Sequence, residues 1–311
     1  MKNIQADIKS GNFKQVYLLY GEEAYLKQQY KQNLVKALNP DGDTMNFNHY
    51  EGKGIDVKQL IDLCETMPFF AERRVVLLED TGFFKNKCEE LADYMKELPD
   101  YLYLVFAETE IDKRNRMYKA VKACGSIAEF IRQDEKTLMR WAAGILGKAG
   151  KKITQRDMEL LLTKTGTDMG NLRMEMEKLI SYTEGRDVVT AEDIEEICTT
   201  QTTNRIFDMV RAVTEKNQKR ALELYYDLLT LKEPPMRILF LLAKQYRQLL
   251  LAKQFAAAGL AQTEIASKLG VPGFVVRNIT TCARAYTISE LEQAVKDFVD
   301  AEESVKTGRL E

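Results

Sequence analysis

The strongest candidate for a nucleotide-binding loop follows the first apolar run of the chain. A phosphate-binding loop has the pattern G-x-x-x-x-G-K-[ST], whose glycines let backbone amides approach phosphate and whose hydroxyl binds Mg²⁺. Counted from Gly21, only that glycine and Lys27 match the pattern. Leu26 replaces the second glycine and Gln28 replaces the hydroxyl residue. The carboxylates of Glu22 and Glu23, at variable positions of the pattern, would repel a triphosphate. We predict that this loop does not bind nucleotide, and that the two glutamates instead cap the following helix and stabilise its dipole.

Two other features could serve catalysis, and neither has the partners it needs. Glu79 and Asp80 close an apolar run in the manner of an acidic pair that binds Mg²⁺, but without a phosphate loop the pair has no ligand to serve. His49 is the only histidine, so a Ser-His-Asp relay would depend on a residue in a polar strand edge. We predict that His49 lies on the surface and that the chain has no catalytic residues.

Composition and cysteine usage limit the class of protein. Hydrophobic residues make up 45% of the 311 and charged residues 30%, which is typical of a globular chain. The net charge of -2 provides no global attraction to nucleic acid or lipid. The cysteines are odd in number and widely spaced, which argues against both a disulfide framework and a metal site; they are Cys64, Cys88, Cys124, Cys198 and Cys282. We predict a cytoplasmic protein without membrane segment, metal, disulfide or cofactor.

One apolar segment is a candidate for binding another protein. Met67-Pro68-Phe69-Phe70 lies between a helix whose apolar face is already complete and the charged turn Glu72-Arg73-Arg74. Successive side chains of an extended segment point to opposite sides, so both rings cannot enter the same core. We predict that at least one ring faces solvent, where it can fill a partner's pocket. The alternative, in which both rings pack under the sheet, stays open at this stage.

Local basic clusters are the remaining candidates for nucleic-acid contact. They surround Lys113-Arg114, Lys148 with Lys151-Lys152, and Lys216 with Lys219-Arg220. Each could touch phosphate, but each also lies at a predicted helix end or turn, where solvated cations are ordinary. The residues we select as possible DNA contacts are Lys113, Arg114, Lys148 and Lys152.

The elements that must position these residues fall into two patterns. Up to Asp134, near-continuous apolar runs alternate with helical periods, which is typical of a parallel sheet covered on both faces. The predicted strands are 16–20, 45–50, 75–78, 101–106 and 126–131, and the predicted helices between them are 24–38, 57–67, 85–98 and 117–124.

After Asp134 the strand signal stops and helical spacing takes over. Thr190 with Asp193 is close to a capping box, and Trp141 has helical spacing typical of a core residue. A polar break over 199–204 marks a second domain boundary. The predicted helices are 136–149, 154–164, 171–182, 191–198, 206–216, 219–231, 235–257, 263–269, 272–285 and 289–306.

Taken in order, several segments resemble one family, the delta subunit of the bacterial DNA polymerase III clamp loader. The resemblance spans nearly the whole chain and depends on the order and spacing of its pieces. These are Val16-Tyr17-Leu18-Leu19-Tyr20-Gly21-Glu22-Glu23 with Tyr25-Leu26, Met67-Pro68-Phe69-Phe70-Ala71-Glu72-Arg73-Arg74, Leu104-Val105-Phe106 before Asp112-Lys113-Arg114, Gly170-Asn171-Leu172 with Glu175 and Glu177-Lys178-Leu179, Ile206-Phe207-Asp208, Ala221-Leu222, and Val305-Lys306-Thr307-Gly308.

The resemblance implies a RecA-type, AAA+-like α/β domain over 1–134, a small helical lid domain over 135–200 and a helical collar over 201–311. It implies that the chain does not hydrolyse ATP, in agreement with the degenerate loop. In the family a hydrophobic pair enters a pocket of the beta sliding clamp and helps to open the ring. By position these residues are Phe69 and Phe70, supported by Met67, although the family's usual pair is aliphatic and aromatic.

The resemblance also implies partners. The collar would assemble with the delta-prime and tau/gamma subunits, and primed DNA would be a partner within that complex. The nucleotidyltransferase activity of the holoenzyme would belong to other chains. Family chains usually continue beyond the Lys-Thr-Gly element into an apolar helix, whereas this sequence stops at Glu311.

Two alternatives remain at this stage. An active AAA+ ATPase would share the architecture and would bind nucleotide. A helical DNA-binding or scaffold protein would bind through residues 201–311, which contain 16 Lys plus Arg against 13 Asp plus Glu, and its binding would depend strongly on salt.

Overall fold

A computed structural model describes residues 2–200, 202–271 and 273–309, which belong to two compact units. Unit 1 ends at Gln133 and unit 2 begins at Asp134. Unit 1 contains a parallel sheet with helices and unit 2 is mostly helical, so the predicted fold class is confirmed. The three domain ranges stay a prediction. Among the described residues, no helix is both long and apolar enough to cross a membrane.

The sheet of unit 1 has five parallel strands, which are β1 (Val16–Tyr20), β2 (Phe47–Glu51), β3 (Arg74–Glu79), β4 (Leu102–Glu108) and β5 (Ser126–Glu129). Their order in the sheet is β2-β3-β4-β1-β5. β1 lies between β4 and β5, with Tyr17 opposite both Val105 and Ser126. All five β1 residues are buried, as expected for a strand covered on both faces.

The helices of unit 1 differ from prediction in three places. The helix predicted over 57–67 ends at Glu65, so Met67 lies beyond it. A first helix precedes β1, where no element was predicted. The helix predicted over 85–98 is wrong in its first part, because Phe83 and Phe84 are buried and the Lys85 and Asn86 amides donate to the Gly82 carbonyl in a turn. The observed helix also ends earlier than predicted, at Tyr94. The observed helices are α1 (Lys2–Ser10), α2 (Ala24–Leu38), α3 (Val57–Glu65), α4 (Glu89–Tyr94) and α5 (Arg116–Cys124).

Unit 2 contains a short parallel strand pair as well as helices. The prediction that strands stop after Asp134 is therefore wrong for β6 (Lys152–Ile153) and β7 (Val188–Val189), whose two-residue length hides any periodicity. The helices are α6 (Glu135–Lys148), α7 (Gln155–Thr165), α8 (Met169–Tyr182), α9 (Ala191–Ile197), α10 (Thr202–Thr214), α11 (Gln218–Thr230), α12 (Pro235–Ala257), α13 (Gln262–Leu269), α14 (Gly273–Ala283) and α15 (Ile288–Lys306). Gln201 in the predicted polar break and Pro272, Leu310 and Glu311 in predicted segments lie outside the described residues.

The apolar cores of unit 2 explain the helical spacing seen in its sequence. One cluster joins α6, α7, α8 and α9 around Leu146, Leu161 and Leu179, and the Trp141 ring packs against it while partly exposed. Two further clusters lie among α10 to α15.

The predicted capping box at the start of α9 is confirmed. The Thr190 amide donates to the Asp193 carboxylate at 2.9 Å, and the Asp193 amide donates to Thr190 Oγ1 at 3.4 Å. Arg186 Nη2 adds an ion pair to the same carboxylate at 2.8 Å. The hydrogen bond from Arg186, followed by those from Thr190, holds the pKa of Asp193 below its usual value.

We expect Asp193→Ala to lower the free energy of unfolding of unit 2 by about 1 kcal/mol at neutral pH, because a helix cap is lost. Since folding lowers the pKa of Asp193, its contribution is complete above the unfolded-state pKa and disappears as pH falls through the folded-state value. Urea unfolding followed by fluorescence of Trp141, the only tryptophan, measures this contribution. A difference between the two proteins that does not shrink in acid would contradict the role of the charge.

Candidate functional site

The degenerate phosphate loop is filled by the chain's own atoms. Gly21 has φ +125°, and a Cβ at this position would lie 2.3 Å from the carbonyl oxygen of Phe130. The Glu23 amide, near the start of α2, donates to that same oxygen at 3.0 Å. Lys27 Nζ donates to the Glu108 carbonyl at 3.0 Å, and burial lowers the pKa of this amine. The groups that would meet phosphate in a working loop are therefore bonded within unit 1.

The other positions of this loop differ in what their side chains contact. Glu23 is the N-cap of α2, but its side chain makes no capping hydrogen bond, so the predicted side-chain cap is wrong. Capping favours the shorter Ser, Thr, Asp and Asn side chains, which reach the first helical amides more easily. Glu22 pairs with Arg132 at 3.4 Å, Leu26 packs against the core, and Gln28 is exposed.

The acidic pair after β3 is also engaged internally. The Glu79 carboxylate contacts Lys31 Nζ at 2.6 Å and His49 Nε2 at 2.9 Å. Asp80 Oδ1 accepts a hydrogen bond from the Thr109 amide at 2.8 Å. Across residues 2–200, 202–271 and 273–309, no group of three or more His, Cys, Asp or Glu side chains is arranged to hold a metal ion.

A cavity of about 930 Å³ opens near the carboxyl ends of β1, β4 and β5. Its wall contains four cations, and each is paired with a carboxylate of the same wall. The pairs are Lys85 with Glu110, Lys113 with Glu129, Arg114 with Asp112, and Arg132 with Glu22. The summed charge of these eight groups is zero, so the wall has no excess positive charge to attract a triphosphate.

The segment between α3 and β3 exposes three large apolar side chains. We call Met67, Pro68, Phe69 and Phe70 the aromatic loop. The exposed fractions are 74% for Met67, 58% for Phe69 and 95% for Phe70. The two rings contact each other edge to face, with centroids 4.5 Å apart. Both rings therefore face solvent, and the alternative in which both pack under the sheet is wrong.

Two buried polar side chains hold the base of the aromatic loop. Asn46, only 3% exposed, accepts a hydrogen bond from the Phe69 amide at 2.6 Å and donates one to the Phe69 carbonyl at 2.8 Å. Arg74, only 5% exposed, donates to the carbonyls of Thr66 and Met67 at 2.8 and 3.3 Å. Sequence reasoning missed Asn46 altogether, because nothing local links it to a residue 23 positions away.

Arg74 does not belong to a charged surface turn, as the sequence suggested. It is the first residue of β3, and its guanidinium meets acceptors at the end of α3, where carbonyls lack helical partners. Those acceptors offset the cost of burying the charge. The neighbouring Arg73 instead places its guanidinium over the rings of Phe13 and Tyr103, at 5.2 and 5.4 Å from the centroids.

The predicted DNA contacts are divided between the two units. Lys113 and Arg114 lie in unit 1, where Lys113 contacts Glu129 at 2.9 Å and Arg114 contacts Asp112 at 3.1 Å. Lys148 and Lys152 lie in unit 2, at the end of α6 and in β6, and both are exposed. A role for these four residues in DNA binding stays a prediction.

Known proteins match this chain along most of its length. The family model for the DNA polymerase III delta subunit matches residues 17–130, and the model for the C-terminal domain of that subunit matches residues 203–311. DNA polymerase III subunit delta of Bacillus subtilis (strain 168) is 26% identical over 320 residues, covering 99% of this chain and 92% of the relative. A probable DNA polymerase III subunit delta of Aquifex aeolicus (strain VF5) is 22% identical over 270 residues, covering 82% of this chain and 75% of the relative.

A solved structure has the same fold. The Bacillus subtilis DNA clamp loader delta protein superimposes with a TM-score of 0.65 at 24% identity, covering 98% of this chain and 94% of that one. The sequence comparison and the fold comparison therefore both match delta subunits over the residues of both units.

Proposed function

Because this chain belongs to the family of DNA polymerase III delta subunits of the clamp loader, we propose that it binds the beta sliding clamp through the aromatic loop and opens the ring without hydrolysing ATP. The observation that carries this proposal is the exposure of Phe69 and Phe70 on a loop whose base is held by buried polar groups. Exposed aromatic side chains next to each other are the type of anchor that fills a partner's pocket.

Opening of the clamp would follow from differential affinity. A protein that binds the open ring more tightly than the closed ring shifts the population toward the open form by the difference in binding free energy. No covalent step is needed from this chain. Delta-prime and the tau/gamma subunits would assemble with residues 201–311. The tau/gamma subunits, which are the ATPases, would control exposure of the aromatic loop, and primed DNA would join the assembled complex.

Binding and opening can be tested separately with a clamp labelled by a fluorophore pair across one subunit interface. We expect this chain to bind and to increase the distance between the fluorophores as it saturates the clamp. Binding without a change in distance would contradict opening alone. A complete absence of binding would contradict the proposed function.

We expect no saturable binding of Mg-ATP and no ATP turnover above background, because Lys27 is bonded to the chain's own carbonyl and the nearby wall has balanced charges. Calorimetric titration and phosphate release measure the two properties. The matched control is Lys27→Ala, which we expect to give the same traces as the wild type. Saturable nucleotide binding that disappears in Lys27→Ala would instead support the AAA+ ATPase alternative.

A further inference from the structure

We infer that Asn46 and Arg74 are positioning residues, which hold the aromatic loop in its binding conformation before a partner arrives. This inference rests on the proposed clamp-binding function. The two residues are buried and do not themselves offer a contact surface, so they would act only through the loop that they hold.

Asn46 fixes the main chain of one loop residue from both sides. Its side-chain oxygen and nitrogen bond the N–H and the C=O of Phe69, respectively. Asn46 is itself fixed, because its own carbonyl accepts a hydrogen bond from the Val75 amide at 2.9 Å and its side chain also donates to the Asp43 carboxylate. Asn46 thereby connects the loop to the first residues of β2 and β3.

Arg74 fixes the start of the loop. In addition to its bonds to the Thr66 and Met67 carbonyls, it donates to Asn48 Oδ1 at 3.2 Å, and its amide donates to the Tyr101 carbonyl at 2.8 Å. The guanidinium therefore connects the end of α3 to β2, while its backbone lies in the sheet.

The conformation held in this way is not one that the segment would adopt freely. Phe70 has φ +50°, a left-handed value that is unfavourable for a bulky residue and persists only where the surroundings impose it. A free loop would also lose backbone conformational entropy on binding. Fixing the loop in advance moves these costs from binding to folding, which raises affinity without adding any contact.

The test compares Asn46→Ala with wild type in clamp affinity and in amide hydrogen exchange of the free protein. We expect about tenfold weaker binding and faster exchange at Phe69 and Phe70, with unchanged exchange in β4. A matched control is Asn171→Ala, which removes a partly buried hydrogen bond from an asparagine amide to the Thr165 carbonyl in unit 2 and should leave clamp affinity unchanged.

A double-mutant cycle separates positioning from general damage to the fold. When Phe69 and Phe70 are already alanine, Asn46→Ala should change the remaining affinity less than twofold, because no anchor is left to position. An equal loss in both backgrounds would overturn the inference, as would unchanged affinity of the single variant despite faster loop exchange.

Arg74→Lys provides a second variant if Asn46→Ala does not fold, since it keeps the charge but loses the geometry that bonds several carbonyls at once. It should also weaken binding and speed exchange in the loop, and unchanged values would overturn the inference. If the wild type does not bind the clamp, the proposed function fails, and exchange in the loop still decides whether the two residues fix its conformation.

Discussion

Replacing Phe69 and Phe70 together by alanine is expected to weaken binding to the cognate sliding clamp at least thirtyfold, or about 2 kcal/mol. Burying one phenylalanine side chain contributes roughly 1.5–3 kcal/mol relative to leaving it exposed. Two rings that enter one pocket therefore contribute more than the expected loss of about 2 kcal/mol. Titration of a fluorescently labelled clamp with each protein measures the loss. Because both rings are exposed in the free chain, the free energy of unfolding should change by less than about 0.5 kcal/mol.

Ile131→Ala is a suitable control for this result. Ile131 is also a large apolar residue of unit 1, with 61% of its surface exposed, but it lies outside the aromatic loop. We expect wild-type affinity from this variant. Tight binding by the double alanine variant would move the clamp contact elsewhere, and a similar loss from Ile131→Ala would indicate a general apolar effect.

The strands of unit 1 could be predicted because burial on both faces leaves a direct record in the sequence. β1, β3 and β4 are near-continuous apolar runs bounded by turn residues, and each is a strand in the structure. The long helix α12 was equally accessible, since Pro235 fixes its start and its apolar spacing continues for six turns. In each of these elements, burial of apolar side chains selects the residue type at many successive positions, so the pattern can be recognised in the sequence.

The features that escaped prediction depend on single contacts between distant residues. β6 and β7 form only a two-residue pairing, too short for any alternation to appear. The sequence predicted that at least one of the two aromatic rings faces solvent, whereas both are exposed in the structure. The loop that carries the rings is held by hydrogen bonds from Asn46 and Arg74. A hydrogen bond between side chain and main chain across 23 positions has no periodicity, so only the folded chain reveals it.

Gly21→Ala is expected to destabilise unit 1 by roughly 3 kcal/mol, the second large effect that the structure predicts. The added Cβ would lie 2.3 Å from the Phe130 carbonyl oxygen and 2.8 Å from its carbonyl carbon and amide nitrogen. The Phe130 main chain cannot simply withdraw. Its amide donates to the Tyr20 carbonyl at 2.7 Å, and its oxygen accepts from the Glu23 amide at 3.0 Å, so relief of the clash must break bonds on both sides of Gly21.

Native-state hydrogen exchange of β1 and β5 is the appropriate measurement, because the only tryptophan lies in unit 2 and does not report on unit 1. Gly54→Ala separates the two causes of the loss. Gly54 also has a positive φ, +93°, but a Cβ there would meet no atom within 4 Å, so this variant reports the backbone cost alone. If Gly21→Ala and Gly54→Ala reduce protection equally, the positive φ alone explains the loss, and contact with Phe130 does not exclude a side chain at position 21. A clearly larger loss of protection in Gly21→Ala would show that close packing of the Phe130 main chain against Gly21 stabilises unit 1. In a working phosphate loop, that space would have to be open for the ligand.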